Sequence, residues 1–282
     1  MKTSILCKRT LATFLCASLL FTSCKKDKKD NDTSSAGENS MAEACYNDVI
    51  NIADEAGRTG TLSNYRLGEN QDGLLSACAT VTFDSTNSTD QDTIHIDFGS
   101  VNCLCNDSRN RRGEIIVYYQ GQYRDSASIH TITFNNYFVN DNQILGTKTV
   151  TNLGHNSLGH LVYDITVVGQ IVLANSAGVI NWNSQKQREW VQGESTLIWN
   201  DDIYSITGTA AGVGANGQSF TVNITSPLIR NMAFGCRRHF VQGVFVITPD
   251  NLPARTLDFG TGTCDDIATV TINNNTYTIQ LW

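Results

Sequence analysis

IHTITFNNYFVNDNQILGTKTVT, residues 129–151, decides the fold class. β-branched and aromatic residues recur there with a period of two on either side of Asn140-Asp141-Asn142. Asn and Asp tolerate positive φ, so the stretch reads as two strands joined by a tight turn. The same pattern runs from Ala77 to the C-terminus, punctuated by turn-formers at 175–178, 214–217 and 273–275. Expected strands include 160–168, 170–174, 178–183, 187–192, 195–200, 218–225 and 236–247. Connections this short join antiparallel neighbours most easily. Pro227, Pro249 and Pro253 are read as lying between strands, where a missing donor breaks no ladder. The expected fold is all-β, a large, mostly antiparallel meander or sandwich of about 14–16 strands, since a flat sheet of that width rarely persists.

One short N-terminal helix is expected at 40–56. Ser40 can cap it, Glu43 completes a capping box, and Gly57 ends it. Cys45, Val49, Ile52 and Ala53 share a face that would cover one face or end of the sheet.

The chain opens with Lys2, Lys8 and Arg9, continues through an apolar run, and reaches Leu20-Phe21-Thr22-Ser23-Cys24. That run is too short to span a bilayer and has the form of a secretory signal whose cut is followed by cysteine, which is the pattern of a lipoprotein. Residues 1–23 are therefore expected to be removed, leaving Cys24 to carry acyl chains such as palmitate, each buried methylene contributing roughly 0.8 kcal/mol of membrane affinity. The polar stretch 24–39, beginning CKKDKKDNDTSS, reads as a flexible tether, and 40–282 as the β domain. Within that domain, two related sub-sheets at about 40–125 and 126–282 are an alternative to one long sheet. The expected location is the bacterial outer membrane, facing the cell surface or the periplasm.

The formal net charge of −7 hides an asymmetry. Residues 1–30 hold seven of the 20 Lys and Arg but two of the 27 acids, leaving 25 acidic against 13 basic groups, or −12. Lys148 and Lys186 are the only lysines in that remainder. A body of this sign repels phosphate backbones, so nucleic acid is excluded as a partner. The expected partners are the membrane, through Cys24, and a glycan or another envelope protein.

Six cysteines remain after the signal and Cys24 are set aside: Cys45, Cys78, Cys103, Cys105, Cys236 and Cys264. An even number in an oxidising compartment reads as disulfides. Two segments repeat: Ile96-Asp-Phe-Gly with Cys103 four residues after the glycine, and Leu257-Asp-Phe-Gly with Cys264 likewise. Each follows a cysteine across a turn-rich stretch, which predicts Cys78–Cys103 and Cys236–Cys264 as opposed hairpin pairs and leaves Cys45 for Cys105. Cys103 and Cys105 point to one face and could exchange partners.

Catalytic sets are sparse. No Gly-x-Ser-x-Gly elbow occurs, and His155 and His160 lack the spacing of a zinc motif. Glu189 and Glu194, the nearest glutamate pair after the expected helix, alternate to opposite faces along an extended chain unless a turn intervenes. Neither a catalytic residue, a metal nor a cofactor is assigned. Trp182, Trp190, Trp199 and Tyr204 lie among Asn181, Asn183, Gln185, Gln187 and Gln192. They are either core packing or a platform on which sugar rings stack while amides bond their hydroxyls.

The lipobox and charged tether, the paired Asp-Phe-Gly-x3-Cys segments, and the run from Ile132 through Gly146-Thr-Lys-Thr-Val-Thr-Asn resemble uncharacterised envelope lipoproteins of the Bacteroidota. The resemblance implies location and a β fold and carries over no catalytic residue. The expected function is a non-catalytic binding module for a glycan or other envelope ligand. The alternatives are a structural or assembly lipoprotein contacting another envelope protein, and a secreted hydrolase.

Overall fold

The computed structural model describes residues 30–59, 79–84, 92–196 and 198–282. The signal segment, Cys24, most of the tether and Cys78 lie outside them. Helix α1 (Ser34–Thr59) precedes strands β1 (Thr80–Asp84), β2 (Asp92–Asp97), β3 (Cys103–Leu104), β4 (Asn110–Gln120), β5 (Ile129–Val139) and β6 (Asn142–His155). These are followed by β7 (Leu161–Val172), β8 (Val179–Gln192), β9 (Ile203–Val213), β10 (Ser219–Asn231) and β11 (Gln242–Pro249). The last three are β12 (Arg255–Thr261), β13 (Ile267–Ile272) and β14 (Asn275–Gln280).

Among the described residues these strands form one antiparallel meander, in chain order except that β3 pairs only with β4. Among the described residues no second sheet faces it, so the meander and not the sandwich is the architecture. The β4–β5 ladder runs from Arg111↔Val139 to Gln120↔Ile129, across the expected sub-sheet boundary at 125. The β5–β6 turn has positive φ at both Asn140 and Asp141, as the hairpin reading requires.

Several strand bounds differ from expectation. The pairs at 160–174 and 178–192 are each one continuous strand, and 195–196 and 198–200, of the strand expected at 195–200, belong to the loop between β8 and β9. Residues 236–241 lie in the β10–β11 loop. Pro227 sits inside β10, at the irregularity between Asn223 and Leu228 where the β9 ladder skips; a bulge is the place a strand can spare a donor.

α1 begins at Ser34, not at residue 40, because the Asp32 carboxylate accepts the Ser34 N–H at 2.9 Å. That bond, with the nearby Arg255 charge, holds the Asp32 carboxyl below its ordinary range. Residues 34–39 thus belong to the helix and not the tether, and Ser40 and Glu43 lie in its second and third turns. Glu43 does not cap the helix but is buried against Lys186.

The helix does not cover a face of the sheet; the sheet curls around the helix. Ala36, Asn39, Glu43, Tyr46, Asp48, Val49, Ile52 and Ala56 point in different directions around α1, yet all are buried. Its partners come from all around the wall. The Asp32 carbonyl accepts from Arg255 on β12, Glu38 accepts from Ala215 between β9 and β10, and Tyr46 donates to Leu145 on β6. Asp48 pairs with Arg111 on β4. Arg109, at the β3–β4 turn, donates to the Trp282 carbonyl at 3.1 Å and lies 4.4 Å from its ring, tying that turn to the residues that follow β14.

The wrap is tight where β7 passes α1. A Cβ at Gly169 would lie 2.2 Å from the Tyr46 hydroxyl oxygen. Gly169→Ala should therefore destabilise the domain by about 1–3 kcal/mol in urea denaturation, the range for overpacking. A loss within error of zero would contradict this packing.

The repeated segments have a common local structure. Asp97 accepts the Gly99 N–H at 2.7 Å and Asp258 that of Gly260 at 2.8 Å, while Phe98 and Phe259 are buried. One strand-end device is used near opposite ends of one sheet. Cys236 and Cys264 are disulfide-bonded with Cα atoms 4.5 Å apart. Cys103 is also disulfide-bonded, and Cys78, its expected partner, lies outside the described residues. The Cys45–Cys105 pairing is not formed: both are buried thiols. Burial pushes the Cys45 thiol far above its ordinary range, which suppresses the thiolate that disulfide exchange needs.

His130 is buried between Tyr119 and Tyr123, and burial lowers its pKa to about 4 despite an opposing backbone contact at Gly121. Its folded value lies below the unfolded one near 6.5, so its contribution is present above about pH 6.5 and is lost as pH falls towards 4, at about 1.4 kcal/mol per pH unit. His239, also lowered to about 4 by burial and by nearby arginines, acts with the same sign. Stability measured at pH 7 and pH 5 should fall less in His130→Phe than in the parent. Equal falls would remove His130 from the account.

Candidate functional site

β8 decides what the interior contains. Its alternation buries Ile180, Trp182, Ser184, Lys186, Arg188 and Trp190 and leaves Asn181, Asn183, Gln185 and Gln187 exposed. The expected aromatic–amide platform therefore does not exist as one surface, because rings and amides lie on opposite faces of the strand. Trp182, Trp190, Trp199 and Tyr204 are all at most 7% exposed, so none can stack on a ligand from outside. Trp182, Trp199 and Tyr204 instead line a cavity of about 40 Å³ between α1 and the inner wall. The β8–β9 and β10–β11 loops contribute Trp199, Met232 and Phe240 to it, and are joined by the Met232 N–H to Asp202 carbonyl bond at 3.0 Å.

Four cations converge on this cavity: Lys148 from β6, Lys186 and Arg188 from β8, and Arg230 from β10, each at most 7% exposed. Both lysines outside residues 1–30 are thus inside the wrap. Their aliphatic stems pack along the apolar wall and bring the charged heads together. Lys148 Nζ donates to the Tyr46 carbonyl at 2.8 Å, and Lys186 Nζ pairs with Glu43. Burial, with Arg230 and Lys186 nearby, lowers the Lys148 ammonium to about 7. The Arg188 guanidinium lies 4.9 Å from the Tyr163 ring, 4.8 Å from Tyr204 and 5.7 Å from Tyr123, an aromatic cage that holds it by cation–π attraction. Its pKa is lowered by burial, against the opposing pull of Tyr204, Asp54 and Asp202.

Arg230 Nη2 donates to the Arg237 carbonyl at 2.9 Å, and burial lowers its pKa to about 10. Three nitrogens on this wall have no hydrogen-bond partner although no solvent reaches them: Arg188 Nε, Arg188 Nη2 and Arg230 Nε. Leaving such a charged donor unmet is costly, and each of the three is open to a further acceptor. Asp202, fully buried behind the wall, accepts from Trp190 Nε1 at 3.2 Å and from the Tyr204 hydroxyl at 3.1 Å.

A second buried network, nearer β4, pairs its charges internally and leaves Arg111 Nε without a hydrogen-bond partner. Arg111 forks both nitrogens onto Asp107 at 2.7 Å and also bonds Asp48. Burial alone would raise the Asp107 carboxyl, but the hydrogen bond and charge of Arg111 outweigh it and hold it below the ordinary range.

His155, His160, Glu189 and Glu194 meet at the rim of the sheet. A turn beginning at Gly193 does intervene between Glu189 and Glu194, yet each carboxylate is occupied by its own histidine. His160 Nδ1 lies 2.7 Å from Glu189, and His155 Nε2 lies 2.7 Å from Glu194. Glu189 also accepts from Asn156 at 2.8 Å, and the two partners hold its carboxyl below the ordinary range. Among the described residues no group of three or more His, Cys, Asp and Glu is placed to hold a metal ion.

Lys148, Lys186, Arg188 and Arg230 are the functional candidates that reading for catalytic motifs missed. A signal was present in β8, where Lys186 and Arg188 fall in phase with Trp182 and Trp190. Comparison with protein-family models, curated proteins and solved structures finds no match to this chain, so the reading rests on its own geometry.

Proposed function

We propose that this chain is a lipid-anchored protein of the bacterial envelope whose β domain is a non-catalytic binding module, holding its ligand inside the wrapped sheet against α1. The observation that carries the reading is the cavity wall of four buried cations with three unmet guanidinium nitrogens. The glutamates at the rim, the acid pair singled out from the sequence, are already occupied by histidines. The amide-rich outer face of β8 is chemistry suited to water, which leaves the acyl group at Cys24 as the membrane contact.

Full-length protein purified from membranes and then denatured should release a small molecule in near-equimolar amount, detectable by mass spectrometry. Release of nothing would count against a binding module. The anchor has its own test, because lipid attachment requires the cysteine thiol. Cys24→Ala should leave the precursor uncut or move the protein out of the membrane fraction, and normal processing with unchanged fractionation would dismiss the anchor.

A further inference from the structure

We propose that the cavity under α1 is an oxyanion site, in which Arg188, Arg230 and Lys148 hold the carboxylate or phosphate group of the ligand; this rests on the binding-module reading above. The argument is one of charge and hydrogen-bond inventory. Glu43 is committed to Lys186, and Asp48 is bonded to Arg111. Asp202 uses one oxygen for Trp190 and the other for Tyr204. The acids lining the cavity, Glu43 and Asp54, are outnumbered by its four basic side chains.

Buried charges are normally paired and hydrogen-bonded, and the three unmet guanidinium nitrogens call for a further acceptor. The geometry selects the kind of partner. A guanidinium edge carrying two open N–H groups matches the paired oxygens of a carboxylate or phosphate. Arg188 offers that edge through Nε and Nη2, and Arg230 adds Nε. A space of about 40 Å³ holds roughly three waters, and so admits the charged end of a molecule but not a whole sugar ring. An adjoining space of about 20 Å³ shares Glu43, Asn47, Arg230 and Phe240 and leads towards Arg238 and His239, which gives the rest of a ligand a direction. A neutral ligand would satisfy the donors and leave the charge uncompensated.

The test uses full-length protein in detergent. Thermal melting is followed while inorganic phosphate or sodium acetate is titrated against sodium chloride at matched ionic strength, and the compound released on denaturation is identified by mass. Support is a saturable rise in melting temperature with phosphate or acetate but not chloride, or an anionic compound released in near-equimolar amount. Either signal should be weakened about tenfold or more in Arg188→Gln. Should Arg188→Gln not fold, Arg188→Lys keeps the charge, loses the fork, and is expected to weaken the same signal. The released mass distinguishes a free phosphate or carboxylate from a lipid headgroup. A neutral compound retained by Arg188→Gln or by Arg188→Lys would overturn the oxyanion assignment and leave the binding module standing. No released compound and no response specific to oxyanions would overturn both.

Discussion

Arg111→Leu is expected to lower the unfolding free energy by about 3–5 kcal/mol, the range for breaking a buried ion pair by removing one partner. Arg111 is completely buried and joins Asp107 to Asp48, so it fastens the β3–β4 turn and strand β4 to α1. Without it two carboxylates stay in the interior, with Arg109 as their remaining cation at 3.6 Å from Asp48 and 3.9 Å from Asp107. The cost arises from stranded charge more than from lost attraction. Replacing Arg111, Asp48 and Asp107 together by apolar residues of similar size should therefore recover much of the stability. Equilibrium urea denaturation of the single and triple variants checks both parts, and a single-variant loss under about 1 kcal/mol would show that this network does not hold the helix.

Trp182→Ala should cost about 3–5 kcal/mol, the range for truncating a core aromatic ring. The ring is 1% exposed and lies parallel to Tyr46, with centroids 5.6 Å apart and planes 7° from parallel. Its Nε1 donates to Asn39 at 2.8 Å, and Lys186 Nζ lies 5.2 Å from the ring. Truncation removes the stack, orphans Asn39 Oδ1 and exposes the Lys186–Glu43 pair to rearrangement. A ring serving as an external sugar platform would behave oppositely, losing affinity with its melting temperature unchanged. Melting curves for Trp182→Ala and Trp190→Ala therefore separate the packing role from the platform that the sequence allowed.

The sheet was legible because strand alternation is local: 129–151 shows its two strands and the turn between them without help from any other part of the chain. The place of the helix was not. Asn39, Glu43, Asp48 and Asn51 look like a water-facing stripe, and only partners distant in sequence, Trp182 for Asn39, Lys186 for Glu43 and Arg111 for Asp48, make their burial tolerable. Residues 34–39 read as tether for the same reason, since the contact of Glu38 with Ala215 and the burial of Ala36 are tertiary. The aromatic cluster was legible as a cluster, with core packing and an outer platform both open, although period two already separates Trp182 from Asn181 and Asn183. The same period places Lys186 and Arg188 on the tryptophan face. What it could not reveal is that β6 and β10 bring Lys148 and Arg230 to that same interior, because the curl of the sheet is set by the helix it encloses.

The most direct measurement is a high-resolution crystal structure of the protein purified from membranes, with attention to the density between Arg188, Arg230 and Lys148. The account predicts a planar or tetrahedral group bonded to Arg188 Nε and Nη2 and to Arg230 Nε. Density for waters alone, meeting all three nitrogens, would contradict it.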